Sequence, residues 1–180
     1  MLRLPEFFEQ RERALLGERF AELFTPADAI RESPARGVTV NTLRTTPQAF
    51  AEGMDTALTP SPFCRQAFAV AADFRPGRHP WHHAGVFYAQ EPSAASAAPL
   101  LDVQSGMRVC DLCAAPGGKS SQLAAALQGQ GLLLANEYVA ARAEILRQNL
   151  ERMGVPNAVV TNETPDRLAA ALPGWFDRVL

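Results

Sequence analysis

The 180-residue chain is predicted to be an α/β protein, a Rossmann-like parallel sheet of about four strands preceded by a small α/β domain. Three observations predict this. From about residue 90, strand-like apolar runs alternate with helical periods. A glycine-bearing loop, Cys113-Ala114-Ala115-Pro116-Gly117-Gly118-Lys119, separates a strand from the helix after it, and the next strand ends on an acid, Glu137.

Taken in order, residues 5–24 carry Phe7, Phe8, Leu15, Leu16, Phe20, Leu23 and Phe24 with charges between them. That pattern predicts an amphipathic helix begun by Pro5, its stripe packed in a core. Val38 and Val40 alternate with polar residues as a short strand, and Thr46-Pro47-Gln48 opens a helix. Residues 56–85, rich in Pro, Phe and His, read as loops with short strands that include Phe68-Ala69-Val70-Ala71. The regular part follows: helix 92–101, strand 107–112, helix 119–128, strand 131–136, helix 139–153, strand 157–161, short helix 165–172 and strand 176–180. Alternation of this kind makes a parallel sheet covered on both faces, with a ligand crevice at the carboxyl ends of its strands.

The loop carries the chemistry. Adjacent glycines permit tight or left-handed backbone and let the main chain approach a ligand with no Cβ in the way. The helix that begins at Lys119 turns its unpaired N–H groups and positive dipole end toward a carboxylate or phosphate held there. A nucleotide-derived anion or zwitterion suits such a site. A Walker A loop needs glycine where Cys113 stands, which argues against ATP. The dinucleotide fingerprint spreads three glycines over six residues, whereas here two adjacent ones follow Pro116, which disfavours NAD. Glu137, nineteen residues past Gly118 and at a strand end, is placed to accept hydrogen bonds from the two hydroxyls of a ribose.

Composition sets the remaining bounds. With 47% apolar residues the chain can bury a real core in one or two units, and no apolar run approaches the length of a membrane span. A net charge of −2 gives no sign of a basic nucleic-acid face. Sixteen of the seventeen cations are arginines, and Arg3, Arg11, Arg13, Arg19, Arg75 and Arg78 could form local phosphate patches, with solvated surface as their ordinary role. His79, His82 and His83 have no cysteine or carboxylate at ligand spacing, so no metal is expected; lining a cleft and simple packing suit them equally. Cys110 and Cys113 run along a strand end instead of opening a helix, so redox pairing is not expected, and Cys64 lies far along the chain. Three such thiols without a signal peptide fit the reducing cytoplasm.

Gln90-Glu91-Pro92-Ser93-Ala94, Asp111 through Lys119 and Ala135-Asn136-Glu137 together resemble the S-adenosylmethionine-dependent RNA cytosine-5 methyltransferases of the Nop/Sun superfamily. The likeness is greatest to the bacterial RsmF-like branch that modifies 16S ribosomal RNA. Arg36 to Arg44 and His79 to Gly85 resemble it too, so the match runs over nearly the whole chain. The resemblance implies a class I methyltransferase sheet and S-adenosyl-L-methionine as cofactor. It implies a loop of Cys113, Ala114, Ala115, Pro116, Gly117, Gly118 and Lys119 around the methionine end, Glu137 on the ribose, and Arg142 near the cofactor. It further implies an RNA-positioning domain over residues 1–89, the first half of the cofactor-binding domain over 90–180, and ribosomal RNA or the small subunit as partner, with no membrane or metal.

Two departures stand out. Relatives place an acid near the adenine where this chain has Thr164, with Asn162 or Glu163 as possible substitutes. Relatives also continue the last strand into an acid, a proline and a cysteine, whereas this sequence stops at Leu180. Forming 5-methylcytosine needs a thiolate that adds to C6 and a base that removes the C5 proton. None of the three cysteines suits that role, so the catalytic residues are expected elsewhere. Either the chain is an excerpt of a longer methyltransferase, or it is a truncated or non-catalytic relative that binds cofactor or RNA and is inactive by itself.

Overall fold

Residues 4–24 and 36–180 are described by the computed structural model, and the chain divides into two compact units, residues 1–34 and 35–180. In the first, α1 (Glu6–Leu16) follows Pro5, whose φ of −57° and ψ of 136° lie outside the helix. Pro5 is therefore the residue before the helix, and its carbonyl accepts the amides of Phe8 and Glu9. The predicted single helix over 5–24 is broken. Gly17 takes a φ of +56°, a conformation glycine adopts without steric cost, and ends α1. A 3-10 turn over Gly17–Arg19 and the short α2 (Phe20–Leu23) come next. The break also undoes the expected core stripe: Phe7, Leu15 and Leu23 are exposed, whereas Phe20 is buried. Phe20 stacks on Phe24 at 4.7 Å and lies 4.1 Å from the Arg13 guanidinium. Arg3 and residues 25–35 lie outside the described residues.

The second unit contains two sheets. The first is antiparallel, built from β1 (Gly37–Val40), β2 (Leu58–Pro60), β3 (Ala67–Val70) and β4 (Phe87–Ala89) in the order β2-β3-β1-β4. Val38 sits opposite Phe68, and Val40 opposite Phe87, so the alternating positions of the sequence share one face. Phe50, from α3 (Pro47–Gly53), completes that core. Thr46 caps α3 by accepting the Ala49 amide at 3.1 Å. Of the histidines here, His79 accepts the Trp81 amide at its Nδ1 at 3.1 Å, caps α4 (Pro80–His83) and lines a surface cleft with Asp55 and Arg78, while His83 is exposed; Trp81 lies 5.7 Å from Phe50.

The second sheet is parallel, as the alternation predicts. It contains β5 (Arg108–Asp111), β6 (Leu132–Asn136), β7 (Ala158–Thr161) and β8 (Arg178–Val179) in the order β7-β6-β5-β8. Successive strand residues point to opposite faces. Val109 and Leu133 pack with Leu123 and Leu127 of α6 (Gly118–Leu127) and Leu146 and Leu150 of α7 (Ala140–Met153). Cys110 and Leu134 face the other way, onto Leu168 of α8 (Pro165–Ala171). The helix expected over 92–101 is a 3-10 turn, Ala94–Ser96, that runs into the single-turn α5 (Ala97–Leu100).

Chain order sets where a ligand can enter. From β5 the chain moves outward to β6 and β7, then returns to lay β8 on the other flank of β5. Neighbouring connections therefore diverge above the carboxyl end of β5, which leaves a crevice there. The antiparallel sheet is joined to the carboxyl end of α7 by close contacts. Asn41 Nδ2 donates to the carbonyls of Gly85 and Met153 at 2.8 and 2.7 Å, and Arg152 Nη1 donates to that of His82 at 2.7 Å. A side chain at Gly85 would meet the Arg152 carbonyl at 2.0 Å, so two backbones touch at that point.

Candidate functional site

The site begins with Asp111, the last residue of β5 and nearly inaccessible. Ser120, in the first turn of α6, donates its hydroxyl to Asp111 at 2.7 Å and so pins both ends of the intervening loop. Burial pushes the Asp111 carboxyl above its ordinary range, against the opposing pull of the Ser120 hydroxyl, the Lys119 charge and the Cys113 amide.

Between those pins, each predicted residue has a definite place. The Ala114 amide donates to the Asn136 carbonyl at 2.8 Å and ties the loop to β6. The Ala115 carbonyl accepts Arg142 Nη2 at 3.1 Å. Two donors converge on the Pro116 carbonyl, Tyr88 Oη at 3.0 Å and Asn149 Nδ2 at 2.8 Å. Gly117 has a φ of +114°, and a side chain there would reach within 3.2 Å of Leu146. At Gly118 it would lie 3.3 Å from both Tyr88 and Gln90. Gly117 thus uses the left-handed backbone that the sequence suggests for the pair, and a side chain at Gly118 would press tightly on Tyr88 and Gln90. Cys113, Pro116 and Lys119 are exposed. Against the loop lies a cleft of about 170 Å³, lined by Tyr88, Gln90, Asp111, Cys113, Ala114 and Lys119 among others.

Glu137 lies beside the loop at the end of β6 and is 4% exposed. Its Oε1 accepts the Val139 amide at 3.0 Å, and its Oε2 lies 3.4 Å from Arg142 Nη1. Arg142 therefore bridges the acid and the loop carbonyl. Glu137 is outside the lining of the 170 Å³ cleft, so the two halves of the predicted site meet through Arg142.

Several structural partners of this site escape a reading of the sequence. Asn136, with no accessible surface, donates through Nδ2 to the carbonyls of Leu112 and Glu163 at 3.1 and 2.9 Å. Its Oδ1 accepts the Thr161 hydroxyl at 2.9 Å and the Glu163 amide at 3.0 Å. One carboxamide thereby fastens the ends of β5, β6 and β7. Its signal in the sequence is a polar residue closing an apolar strand, and Asp111 carries the same signal one strand earlier. Asn162 Nδ2 donates to the carbonyls of Glu137 and Tyr138 at 2.6 and 2.8 Å and so braces the acid. Thr164 uses its hydroxyl to cap α8, and Glu163 pairs with Arg167 at 2.9 Å.

All three thiols are free. Cys110 is buried against Leu134 and Leu168, and burial, with Asp111 beside it, pushes its thiol up to about 11. Cys64 is buried as well, and Cys113 is exposed on the loop.

Comparison with known proteins gives two successive matches along the chain. Residues 4–92 match the family model for the N-terminal domain of 16S rRNA methyltransferase RsmF, and residues 98–180 match that for 16S rRNA methyltransferase RsmB/F. Ribosomal RNA small subunit methyltransferase F of Erwinia tasmaniensis is 37% identical over 188 residues, covering 98% of this chain and 38% of that protein. The protein of the same name from Vibrio campbellii is 38% identical over 153 residues, 81% of this chain and 32% of its own. The chain thus spans between 32% and 38% of the length of these curated relatives. Among solved structures, a methyltransferase homolog from Pyrococcus horikoshii superposes with a TM-score of 0.85 at 28% identity, over 98% of this chain and 58% of its own. NSun6 from Pyrococcus horikoshii, solved with SFG, shares the fold with a TM-score of 0.79 at 15% identity, over 92% of this chain and 67% of its own. Two adjoining domain matches, relatives at more than a third identity and a common fold agree: the chain belongs to the RsmB/F family of 16S rRNA methyltransferases and is of the RsmF type.

Proposed function

We propose that the full-length protein uses S-adenosyl-L-methionine to methylate C5 of a cytosine in 16S ribosomal RNA. In this reading residues 1–89 position the RNA, and residues 90–180 form the first half of the cofactor-binding domain. One observation carries the proposal. At the crevice above β5, a loop of backbone donors and the buried carboxylate of Glu137 lie side by side, linked by Arg142.

The residues present fit that cofactor. Gly117 precedes α6 with no side chain capping the helix, so amides of the first turn are available to a carboxylate at the positive end of the dipole. Glu137 is an acceptor for paired ribose hydroxyls, because an ionised carboxylate has room for more hydrogen bonds than the one it accepts from Val139. Arg142 holds the acid and the Ala115 carbonyl in register, and Asp111 with Ser120 fixes the span from Cys113 to Lys119 between them. When bound, the cofactor supplies an electrophilic methyl group.

Transfer to C5 needs a thiolate bond to C6 of cytosine, attack by C5 on the methyl, loss of the C5 proton to a base and expulsion of the thiolate. Cys110, pushed up to about 11 and packed in the core, is held as an unreactive thiol. Cys64 is buried, and Cys113 belongs to the proposed cofactor loop. The nucleophile is therefore assigned to none of these cysteines, and residues 1–180 alone are expected to transfer no methyl. A second reading is a relative that binds cofactor or RNA without chemistry. Among the described residues no helix is long and apolar enough to cross a membrane, and the cytoplasm, where ribosomal RNA is modified, is the proposed compartment.

The test is incubation of the full-length protein with unmodified 16S RNA, or with small subunits, and methyl-labelled cofactor, followed by nucleoside mass spectrometry. Labelled 5-methylcytidine supports the first reading. Cofactor binding without incorporation supports the second.

A further inference from the structure

We propose that Tyr88, on β4 of the antiparallel sheet, is a positioning residue for the cofactor loop, acting with Asn149 of α7 to set the direction of the Gly117 amide. The inference rests on the cofactor reading above and adds a role for residues outside the parallel sheet. Tyr88 Oη and Asn149 Nδ2 donate to one acceptor, the Pro116 carbonyl, at 3.0 and 2.8 Å. A carbonyl oxygen offers two lone pairs, and these donors, arriving from different elements, engage both. The peptide unit between Pro116 and Gly117 is planar and trans, so fixing the carbonyl on one side directs the Gly117 N–H to the opposite side. Among the described residues that N–H has no protein partner.

Two further contacts and its burial hold Tyr88 in place. The ring sits under Gly118, where a Cβ would lie 3.3 Å from Tyr88 Cε1, so ring and loop pack directly. The Arg152 guanidinium lies 5.4 Å from the ring centroid and braces its other surroundings from α7. Tyr88 is 8% exposed, and burial pushes its phenol above the ordinary range, so the hydroxyl stays protonated and donating at neutral pH. Asn149 is itself fixed by a 3.1 Å bond from Arg152 Nη2 to its Oδ1, which leaves Nδ2 facing Pro116.

The experiment is calorimetric titration of the full-length protein with S-adenosylmethionine, comparing wild type with Tyr88→Phe, Asn149→Ala and the double variant. Thermal unfolding and the Gly117 amide resonance in a ¹⁵N-labelled sample are recorded for each. Tyr88→Phe keeps the ring and its packing and removes one donor, so unfolding should shift little. Affinity should fall about fivefold, in the range of one lost hydrogen bond, and further in the double variant. The Gly117 resonance should move in Tyr88→Phe, and a fall in affinity at an unchanged unfolding temperature is what a role confined to stability would not produce. Unchanged affinity in Tyr88→Phe, with wild type binding normally, would overturn the proposal and leave the cofactor reading intact. A wild type that does not bind would overturn both.

Discussion

Replacing Asn136 by alanine tests the architecture on which the site depends. The side chain is fully buried and makes four hydrogen bonds, three of them to backbone groups: the Leu112 carbonyl and the carbonyl and amide of Glu163. The fourth comes from the Thr161 hydroxyl. Each bond lost costs about 0.5–1.5 kcal/mol net, and a buried polar group left without a partner costs about 1–3 kcal/mol. These terms overlap, because the loosened strand ends admit water, so the expected loss is about 3–5 kcal/mol rather than their full sum. For a unit of this size that corresponds to a fall of roughly 8–15 °C in Tm. Urea unfolding of the full-length protein, followed by tryptophan fluorescence and circular dichroism, measures it. Thr161→Val supplies a control: it should cost about 1 kcal/mol alone and nearly nothing when Asn136 is already alanine. A loss below about 1 kcal/mol for Asn136→Ala, or strict additivity with Thr161→Val, would show that the carboxamide does not fasten the three strands.

Three further outcomes are expected. Glu137→Ala should weaken S-adenosylmethionine binding by about 1–3 kcal/mol, through ribose hydroxyls left without an acceptor; unchanged affinity in calorimetry would remove Glu137 from the site. Cys113, the exposed thiol, should react first with iodoacetamide at pH 8 and be slowed by saturating cofactor, whereas Cys110 should stay unlabelled in the native protein; mass spectrometry that finds Cys113 labelled equally fast with and without bound cofactor would place the ligand elsewhere. The Cys110 thiol is raised to about 11 in the folded state, so its contribution to stability is full below the ordinary thiol range and declines as pH rises through about 11. Unfolding midpoints should fall across that window by at most one proton's dependence, and Cys110→Ala should flatten the slope. An identical slope in the variant would refute the assignment.

The parallel half of the fold was legible because its signals are long. A predicted strand over 131–136 and helix over 139–153 correspond to Leu132–Asn136 and Ala140–Met153, since a continuous apolar run and a 3.6-residue period are each repeated often enough to be counted. The segments that misled are short. Gly17 ends α1 with one positive φ, and nothing in the apolar spacing around it marks that turn. The strand Phe87–Ala89 has three residues and no period, so it disappears among the loops although it carries Tyr88.

At the site, the same contrast separates what a residue is from what holds it. The loop and its acid were legible because their types and spacing are local: two glycines before a helix, then a carboxylate at the next strand end. Their supports were not, because each joins residues distant in sequence: Tyr88 meets Pro116 across 28 positions and Asn136 meets Glu163 across 27. The glycine pair shows the difference most clearly. Gly117 takes the left-handed backbone that adjacent glycines suggest, with a φ of +114°, whereas the Tyr88 and Gln90 side chains, 3.3 Å from where a Cβ of Gly118 would stand, come from a distant part of the chain. It follows that the geometry of the loop is set jointly by the parallel sheet beneath it and the antiparallel sheet beside it. A substitution in β4 that preserves the core should therefore register first in cofactor affinity and only afterwards in stability.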